Sequence, residues 1–171
     1  MFKFLEKISS QNSILIIAFK GWSDAAEAAT SAVDTIIKNY DSKKFASFEE
    51  EEFFAFARER PNIKNSKNGR IIEWPHNDLY YIDNAIDNTP LIILNGTEPH
   101  FKWKTFSKEV IDLCVSMNVS SVVTLGALLD SIPHTRGVKT QITGQHEFMP
   151  EGYTQKKISQ SKYEGPTGIT S

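Results

Sequence analysis

Five side chains that can move protons or bind anions follow three apolar segments of this sequence. They are Asp24, Glu98, His100, His134 and Arg136. A carboxylate beside a histidine can supply acid–base chemistry, and an arginine can bind an anionic group through paired hydrogen bonds. The same side chains also have structural uses, because Asp24 can cap a helix, Glu98 can pair with Arg136, and histidines can bind backbone carbonyl groups. We favour the structural uses over catalysis.

Three apolar segments should position these side chains at one rim of a sheet. The segments cover residues 13–19, 91–94 and 121–125, and each leads into a turn that contains glycine. Apolar runs of this kind predict strands buried on both faces of a parallel sheet, and residues 91–94 are uninterrupted. Open α/β sheets bind ligands at the carboxyl ends of such strands, so we predict a binding cleft there. Gly21 and Trp22, in the turn after the first segment, complete the predicted cleft.

Two amphipathic helices are predicted, at residues 25–40 and 104–117, because apolar side chains recur there at helical spacing. Asp24 and Glu27 resemble a capping box at the start of the first helix, and Ser23 is an alternative cap. Asn118 is expected to end the second helix in a left-handed conformation. Strand, glycine turn and helix together indicate the opening of a βαβ unit and therefore an α/β fold.

Shorter strands are predicted around a polar loop at residues 58–69. They cover residues 44–48, 70–74, 78–82 and 138–142. The second and third of these can form a hairpin or an antiparallel extension of the sheet. Residues 49–52 are an acidic run that we interpret as a solvated surface. The phenylalanines at positions 53, 54 and 56 are expected to cover a sheet edge or to make a subunit contact.

The composition is that of an ordinary soluble globular domain. Of the 171 residues, 40% are hydrophobic and 23% are charged, and the formal net charge is −2. Because there is no basic block, nucleic acid and anionic membranes are not expected as main partners. The amino terminus has no long apolar segment, and residues 13–19 are too few to span a bilayer. We therefore expect a cytoplasmic protein.

No metal or cofactor is predicted. Cys114 is the only cysteine, so neither an intrachain disulfide nor a cysteine-rich zinc site can form within one chain. It lies on the apolar face of the second helix, and we interpret it as a buried small hydrophobe rather than a nucleophile. The four histidines lack the close spacing of zinc ligands. Phosphate-binding glycine loops and the common hydrolase motifs are also absent from the sequence.

Several short motifs occur in order along the chain. They are residues 19–25 (Phe-Lys-Gly-Trp-Ser-Asp-Ala), 60–61 (Arg-Pro), 74–75 (Trp-Pro), 96–103 (Gly-Thr-Glu-Pro-His-Phe-Lys-Trp), 125–128 (Leu-Gly-Ala-Leu), 133–136 (Pro-His-Thr-Arg) and 163–169 (Tyr-Glu-Gly-Pro-Thr-Gly-Ile). Through these motifs the chain resembles the proteasome assembly chaperone family, and its actinobacterial branch in particular. The resemblance implies a three-layer α/β/α fold with a mostly parallel sheet, similar to nucleoside phosphorylases and peptidyl hydrolases. It also implies a homo-oligomer.

The resemblance implies a protein-binding, chaperone-like role with partners related to the proteasome. Together with the lack of a complete catalytic motif, it favours binding over enzymatic activity. The alternative is a small-molecule enzyme, either a hydrolase or a nucleoside- or carboxylate-handling enzyme, that uses the cleft at the carboxyl ends of the strands. An enzyme of this kind would need the predicted acidic, histidine and arginine side chains to converge.

The end of the chain departs from the pattern that the resemblance implies. Chains of the family continue well past the Gly-Pro-Thr-Gly segment, and members that dock on the proteasome end in a hydrophobic-tyrosine tail. Residues 169–171, Ile-Thr-Ser, do not form such a tail. We therefore expect residues 1–171 to be one α/β domain that is incomplete at its carboxyl end. We also expect a bare face that leaves the chain unstable, makes it aggregate, or is covered in an oligomer.

Overall fold

The computed structural model describes residues 2–138, 140–142 and 164–170. Its strands are β1 (Phe2–Phe4), β2 (Ser13–Lys20), β3 (Ser42–Phe48), β4 (Asn62–Ser66), β5 (Gly69–Glu73), β6 (Asn77–Ile86), β7 (Thr89–Thr97) and β8 (Val119–Thr124). Its α-helices are α1 (Ala28–Asn39), α2 (Glu50–Phe53) and α3 (Trp103–Ser116). The chain divides into two compact units. The first comprises Met1–Leu128 with Gly168–Ser171, and the second comprises Leu129–Thr167.

Six strands of the first unit form one mixed sheet in the order β1-β3-β6-β7-β2-β8. β2 runs parallel to β7 and β8, whereas the other three neighbouring pairs are antiparallel. The α/β class is confirmed, but the prediction of a mostly parallel sheet is wrong. One cause is the two-residue turn at Asp87 and Asn88, which joins β6 directly to β7. Both residues have positive φ, 46° and 62°, as a tight hairpin turn requires, so these strands must be antiparallel.

Side chains of β7 alternate between two buried clusters, one on each face of the sheet. Leu94 lies in one cluster with Phe106 of α3, and Ile93 lies in the other with Val33 of α1. The two long helices therefore pack on opposite faces. The rings of Phe48 and Phe106 stack at 4.0 Å, and full burial of such a side chain contributes about 1.5–3 kcal/mol. A complete three-layer fold requires helices that cover every strand on both faces. That full cover stays a prediction.

The strand β8 is less buried than the sequence predicts. The predicted strand at residues 121–125 is present as Val119–Thr124, but its side chains are not buried on both faces. Val122 is 52% exposed and Val123 is 43% exposed. The reason is position, because β8 is the last strand of the sheet and, in the described part of the chain, pairs with β2 alone.

The first predicted helix begins later than expected. Ala25–Glu27 form a 3-10 turn, and α1 starts at Ala28. Glu27 has a left-handed φ of 56° and does not close a capping box with Asp24, so that prediction is wrong. The second predicted helix is confirmed as α3, and Asn118 follows it with the expected positive φ of 51°.

The predicted loop at residues 58–69 contains a strand. β4 pairs with β5 in an antiparallel hairpin, while β6 joins the main sheet, so both arrangements considered for the short strands occur. The Asn68-Gly69 dipeptide is the sequence signal for this hairpin turn. Phe53 and Phe54 are buried beside the sheet. No strand is assigned to Val138 or to residues 140–142.

Candidate binding site at the rim of the sheet

The carboxyl ends of β2, β7 and β8 lie at one rim of the first unit, because β7 and β8 both run parallel to β2. The turns that follow them contact one another. Glu98, after β7, donates its backbone N–H to the carbonyl oxygen of Lys20 at 2.9 Å. Ala127, after β8, donates its N–H to the carbonyl oxygen of Ser23 at 2.8 Å. Ala25 donates its N–H back to the carbonyl oxygen of Ala127 at 3.0 Å. The backbone of three separate segments therefore forms one continuous surface.

Glu98 uses its carboxylate to hold a distant part of the chain. Its Oε1 accepts a hydrogen bond from the backbone N–H of Ile169 at 2.8 Å. The Ile169 side chain is partly buried against the cluster that contains Phe106. A bond between a carboxylate and an N–H is stronger than one between neutral groups. Glu98 thereby fixes the Ile169 backbone on the rim.

Two glycines allow this close approach. Gly21 has a φ of +143°, and a Cβ there would lie 3.1 Å from the Cβ of Glu98. At Gly168, a Cβ would lie 3.1 Å from Oε1 of Glu98 and 3.2 Å from Oγ of Ser23. All three distances are shorter than most Cβ contacts in proteins. Glycine is needed at Gly21 for its backbone conformation as well as for space.

Asp24 is buried, with 6% of its surface exposed, and its carboxylate organises the start of α1. Oδ1 accepts hydrogen bonds from the N–H groups of Ala29 at 2.7 Å and Thr30 at 3.3 Å, and Oδ2 accepts one from the Thr30 hydroxyl. These N–H groups belong to the first turn of α1 and have no partner within the helix. Asp24 therefore caps α1 across the intervening 3-10 turn, the structural use considered for it above.

His100 joins the loop after β7 to the segment after α2. Its Nδ1 accepts the N–H of Ala55 at 3.3 Å, and its own backbone N–H donates to the carbonyl oxygen of Phe53 at 2.8 Å. The ring also meets the ring of Phe54 edge to face at 6.1 Å. Since Nδ1 is an acceptor here, the neutral ring carries its hydrogen on Nε2. Nδ1 is therefore engaged with backbone.

Trp22, a predicted cleft residue of the first unit, is 67% exposed. It occupies the turn between Gly21 and Asp24. His134 and Arg136 belong to the second unit, and both are exposed there. The backbone N–H of Arg136 donates to the carbonyl oxygen of Pro133 at 2.9 Å. The rim of the first unit thus brings together Gly21, Asp24 and the Glu98 turn, while the roles of His134 and Arg136 stay predictions.

A polar cluster on β3 and β6 was missed in the sequence. Lys44 Nζ lies 2.7 Å from Oδ1 of Asp78, which is 5% exposed, and His76 Nε2 lies 3.6 Å from Oδ2. Burial, and then the nearby carboxylates of Asp78 and Asp34, raise the pKa of Tyr80 to about 12. The sequence signal that could have revealed this cluster is the alternation of side chains along β6, which places Asp78 and Tyr80 on one face of the sheet.

Metal binding and membrane insertion find no support in the described residues. Among them, no group of three or more histidine, cysteine, aspartate or glutamate side chains is arranged to hold a metal ion. No helix in the same residues is both long and apolar enough to cross a membrane. Glu98, Asp24 and His100 at the rim accept hydrogen bonds from backbone N–H groups of the chain itself.

These features define an α/β protein with a mixed sheet. The rim of that sheet holds a segment of the chain's own polypeptide. The chain belongs to the PAC2 family, whose family model matches residues 18–171. The resemblance to proteasome assembly chaperones is confirmed by this match and by the solved structures described next. The sequence matches none of the curated proteins.

Three solved structures illustrate the likeness. A PAC2 family protein from Streptomyces avermitilis is 31% identical, with a TM-score of 0.81 over 92% of this chain and 66% of that one. A proteasome-assembly chaperone homologue from Mycobacterium tuberculosis is 28% identical, with a TM-score of 0.77 over 91% and 65%. An archaeal proteasome activator from Pyrococcus furiosus, 19% identical over 72% and 49% with a TM-score of 0.55, shares the fold. The chain spans less than two thirds of each relative's length.

Proposed function

We propose that this chain is a protein-binding, chaperone-like protein whose partners are related to the proteasome. Membership of the PAC2 family and the likeness to a proteasome-assembly chaperone homologue support this role. The observation that carries it is the use of the polar side chains at the rim. Glu98, Asp24 and His100 each accept hydrogen bonds from backbone N–H groups. Groups used in this way build a binding surface, whereas a general base needs its acceptor atom free for substrate.

The exposed side chains of the rim supply the contact surface for this role. Trp22 is 67% exposed and Leu128 is 79% exposed, on turns that the bridge between Asp24 and Ala127 joins. Tryptophan is enriched among the residues that dominate binding energy at protein interfaces. We propose that Trp22 is the central anchor for the partner and that Leu128 extends the apolar contact.

Capture of partners from the source cell tests this proposal. Tagged chain should recover proteasome subunits, and Trp22→Ala should weaken recovery by about tenfold or more, since anchor residues contribute about 2 kcal/mol or more. Val115→Ala is the control, because Val115 is equally apolar and 77% exposed but lies on α3. Recovery of no proteasome subunit, combined with turnover of a small metabolite, would reject the binding role in favour of the enzyme alternative.

We propose that the predicted cleft residues border one binding site for this partner. They are Gly21, Trp22, Asp24, Glu98, His100, His134 and Arg136. The contacts of Gly21, Asp24 and Glu98 at the rim support the part that lies in the first unit. If Arg136 borders the same site, Arg136→Ala should weaken partner capture as Trp22→Ala does. Unchanged capture by Arg136→Ala would remove the second unit from the site.

We also propose that the chain self-associates and works in the cytoplasm. The exposed valines of the edge strand β8 support self-association, because exposed apolar edges are normally covered. The single cysteine, Cys114, fits a reducing compartment in which structural disulfides are rare. Sedimentation of the purified chain tests the first point, and fractionation of the source cell tests the second.

A further inference from the structure

Two residues from a distant part of the chain occupy the rim of the sheet. They are Gly168, which is buried, and Ile169, which is half-buried, whereas residues 164–167 before them are exposed. Both belong to the first compact unit, although the chain passes through the second unit, Leu129–Thr167, before it reaches them. The rim therefore holds this pair of residues in particular, and its contacts with each of them define what it accepts.

The first position of the pair is suited to glycine. A Cβ at Gly168 would lie 3.1 Å from Oε1 of Glu98 and 3.2 Å from Oγ of Ser23, closer than most Cβ contacts in proteins. The backbone of Ser23 is itself held in place, because its carbonyl oxygen accepts the N–H of Ala127 at 2.8 Å. A larger residue at this position would have to push these groups apart, so the rim selects glycine there.

The second position combines a hydrogen-bond acceptor with an apolar surface. Oε1 of Glu98 accepts the N–H of Ile169 at 2.8 Å, and the Ile169 side chain packs against the cluster that contains Phe19 and Phe106. A proline has no N–H to donate to the carboxylate. A charged side chain would lose its water against the phenylalanines without gaining a partner. The rim therefore selects an apolar residue with a free backbone N–H at this position.

The groups that contact the pair are positioned by other parts of the fold. The N–H of Glu98 donates to the carbonyl oxygen of Lys20 at 2.9 Å, and Gly21 leaves room for the Glu98 stem. Phe106 stacks on Phe48 at 4.0 Å inside the core. Because none of these contacts involves residues 168–169, the acceptor and the apolar surface would persist if the pair left. Another segment with the same two residues could then enter.

We propose that the rim recognises a glycine followed by an apolar residue in a partner polypeptide, and that Gly168 and Ile169 occupy this site until the partner displaces them. The proposal rests on the binding role proposed above and names the feature that the rim recognises in its partner. A segment tethered on the same chain reaches an effective concentration of about 1 mM. It therefore competes with a partner and keeps the site closed in the isolated chain.

Two variants that release the pair test the proposal. Ile169→Asp places a carboxylate beside that of Glu98 and should be repelled, whereas Gly168→Ala should release the pair by steric contact without a new charge. We call these variants the opened chains. The probe is a peptide with the sequence of residues 164–170, Glu-Gly-Pro-Thr-Gly-Ile-Thr, acetylated and amidated at its ends.

The peptide should bind the opened chains at the rim. In NMR titrations with up to about 1 mM peptide, the amide signals of Gly21 and Glu98 should shift in both opened chains. The wild type should bind the peptide at least about tenfold more weakly, because its own pair competes at a similar concentration. Peptides that carry Gly168→Ala or Ile169→Asp should bind the opened chains at least about tenfold more weakly than the natural sequence.

Thr167→Asp in the chain is the matched control, because it adds the same charge at an exposed position just before the pair and should behave as the wild type. Far-ultraviolet circular dichroism reports whether each variant is folded. Folded opened chains that bind no peptide, or that bind all three peptides equally, overturn the proposal. Loss of folding in both opened chains also overturns it, since the pair would then be part of the core and not a displaceable occupant.

The outcome is distinguishable from that of the binding role itself. Recovery of proteasome subunits by a chain that fails the peptide test overturns the recognition site and leaves the proposed function standing. Selective peptide binding by a chain that recovers no proteasome subunit rejects that choice of partner and supports the site.

Discussion

The carboxylate of Glu98 accepts a hydrogen bond from the backbone N–H of Ile169 at 2.8 Å, across 71 positions of sequence. Gly168 lies against the same carboxylate, and Gly21 lies against its stem. The contact therefore needs two glycines and one acid from three separate motifs. Its role is to hold backbone in place, which explains why these residue types occur together at a rim where acid–base chemistry was one interpretation.

Removing the Glu98 carboxylate should release Ile169. Glu98→Ala leaves a part-buried N–H without its acceptor, so we expect a loss of about 1–3 kcal/mol in the free energy of unfolding. Glu98→Gln keeps an acceptor oxygen and should lose less. Urea unfolding measures the stability, and hydrogen exchange at the Ile169 amide locates the effect. Asp41→Ala, an exposed site in a turn, is the control. Equal protection of the Ile169 amide in wild type and Glu98→Ala would contradict the assignment.

Gly96 should tolerate no side chain. A Cβ there would lie 2.1 Å from Oδ1 of Asn77 and 2.2 Å from the carbonyl oxygen of His76, which also accepts the N–H of Thr97. Since backbone of β6 must move, we expect Gly96→Ala to cost about 3 kcal/mol or more, or to prevent folding. Gly137→Ala is the matched control, because among the described residues, its chain neighbours aside, no heavy atom lies within 4 Å of its Cβ position. Similar urea midpoints for the two variants would show that β6 and β7 are not in this register.

Tyr80 gives a prediction for alkaline pH. Burial raises the pKa of its phenol from 10.0 to about 12 in the folded chain. The folded state therefore holds the proton more tightly, and this contribution to stability is present below pH 10 and lost as the pH rises toward 12. Tyr80→Phe should flatten the decline in stability over that interval and remove one late component from the ultraviolet titration of tyrosine. Tyr81→Phe, its neighbour on β6, should keep that late component. If Tyr81→Phe removed the late component and Tyr80→Phe kept it, the late titration would belong to Tyr81.

Cys114 offers a probe of how α3 packs. Burial raises the pKa of its thiol above 9.0, so less of it is the reactive thiolate near neutral pH. We expect a thiol reagent to modify the folded chain more slowly than the chain unfolded in urea. Phe106→Ala, which opens the cluster under α3, should speed the reaction, whereas Val115→Ala on the exposed side should not. Equal rates in folded and unfolded chains would place Cys114 at the surface.

Local patterns predicted the parts of the fold that depend on burial. The apolar run of β7 and the helical spacing of α3 both report which side chains face the core, and both elements occur where expected. Strand direction depends on turns, and the short turn at Asp87 and Asn88 carried that information without being recognised. The exposure of β8 depends on its place at the end of the sheet order, which no local pattern encodes.

The candidate site could be predicted in residue type and, for Asp24, in its capping role, but not in the contact that Glu98 makes. The glycine after β2 and the acid after β7 were both identified from the sequence as parts of a cleft. Their shared partner, Ile169, lies far along the chain and meets Glu98 only through the tertiary fold. Asp24 was expected to cap a helix, but the 3-10 turn displaces the capped N–H groups to Ala29 and Thr30. Such displacement depends on the left-handed backbone at Glu27, which its residue type does not favour.

Asp24 should therefore matter more for stability than an exposed helix cap. Its buried carboxylate satisfies two backbone N–H groups and the Thr30 hydroxyl, so Asp24→Ala should cost about 2 kcal/mol or more, at the upper end for caps. Thr30→Val removes a single contact and should cost about 1 kcal/mol. If the two groups act together, Thr30→Val should add little in the Asp24→Ala background, as a double-mutant cycle in urea measures. Fully additive losses would show that the Asp24 carboxylate stabilises α1 without the Thr30 hydroxyl.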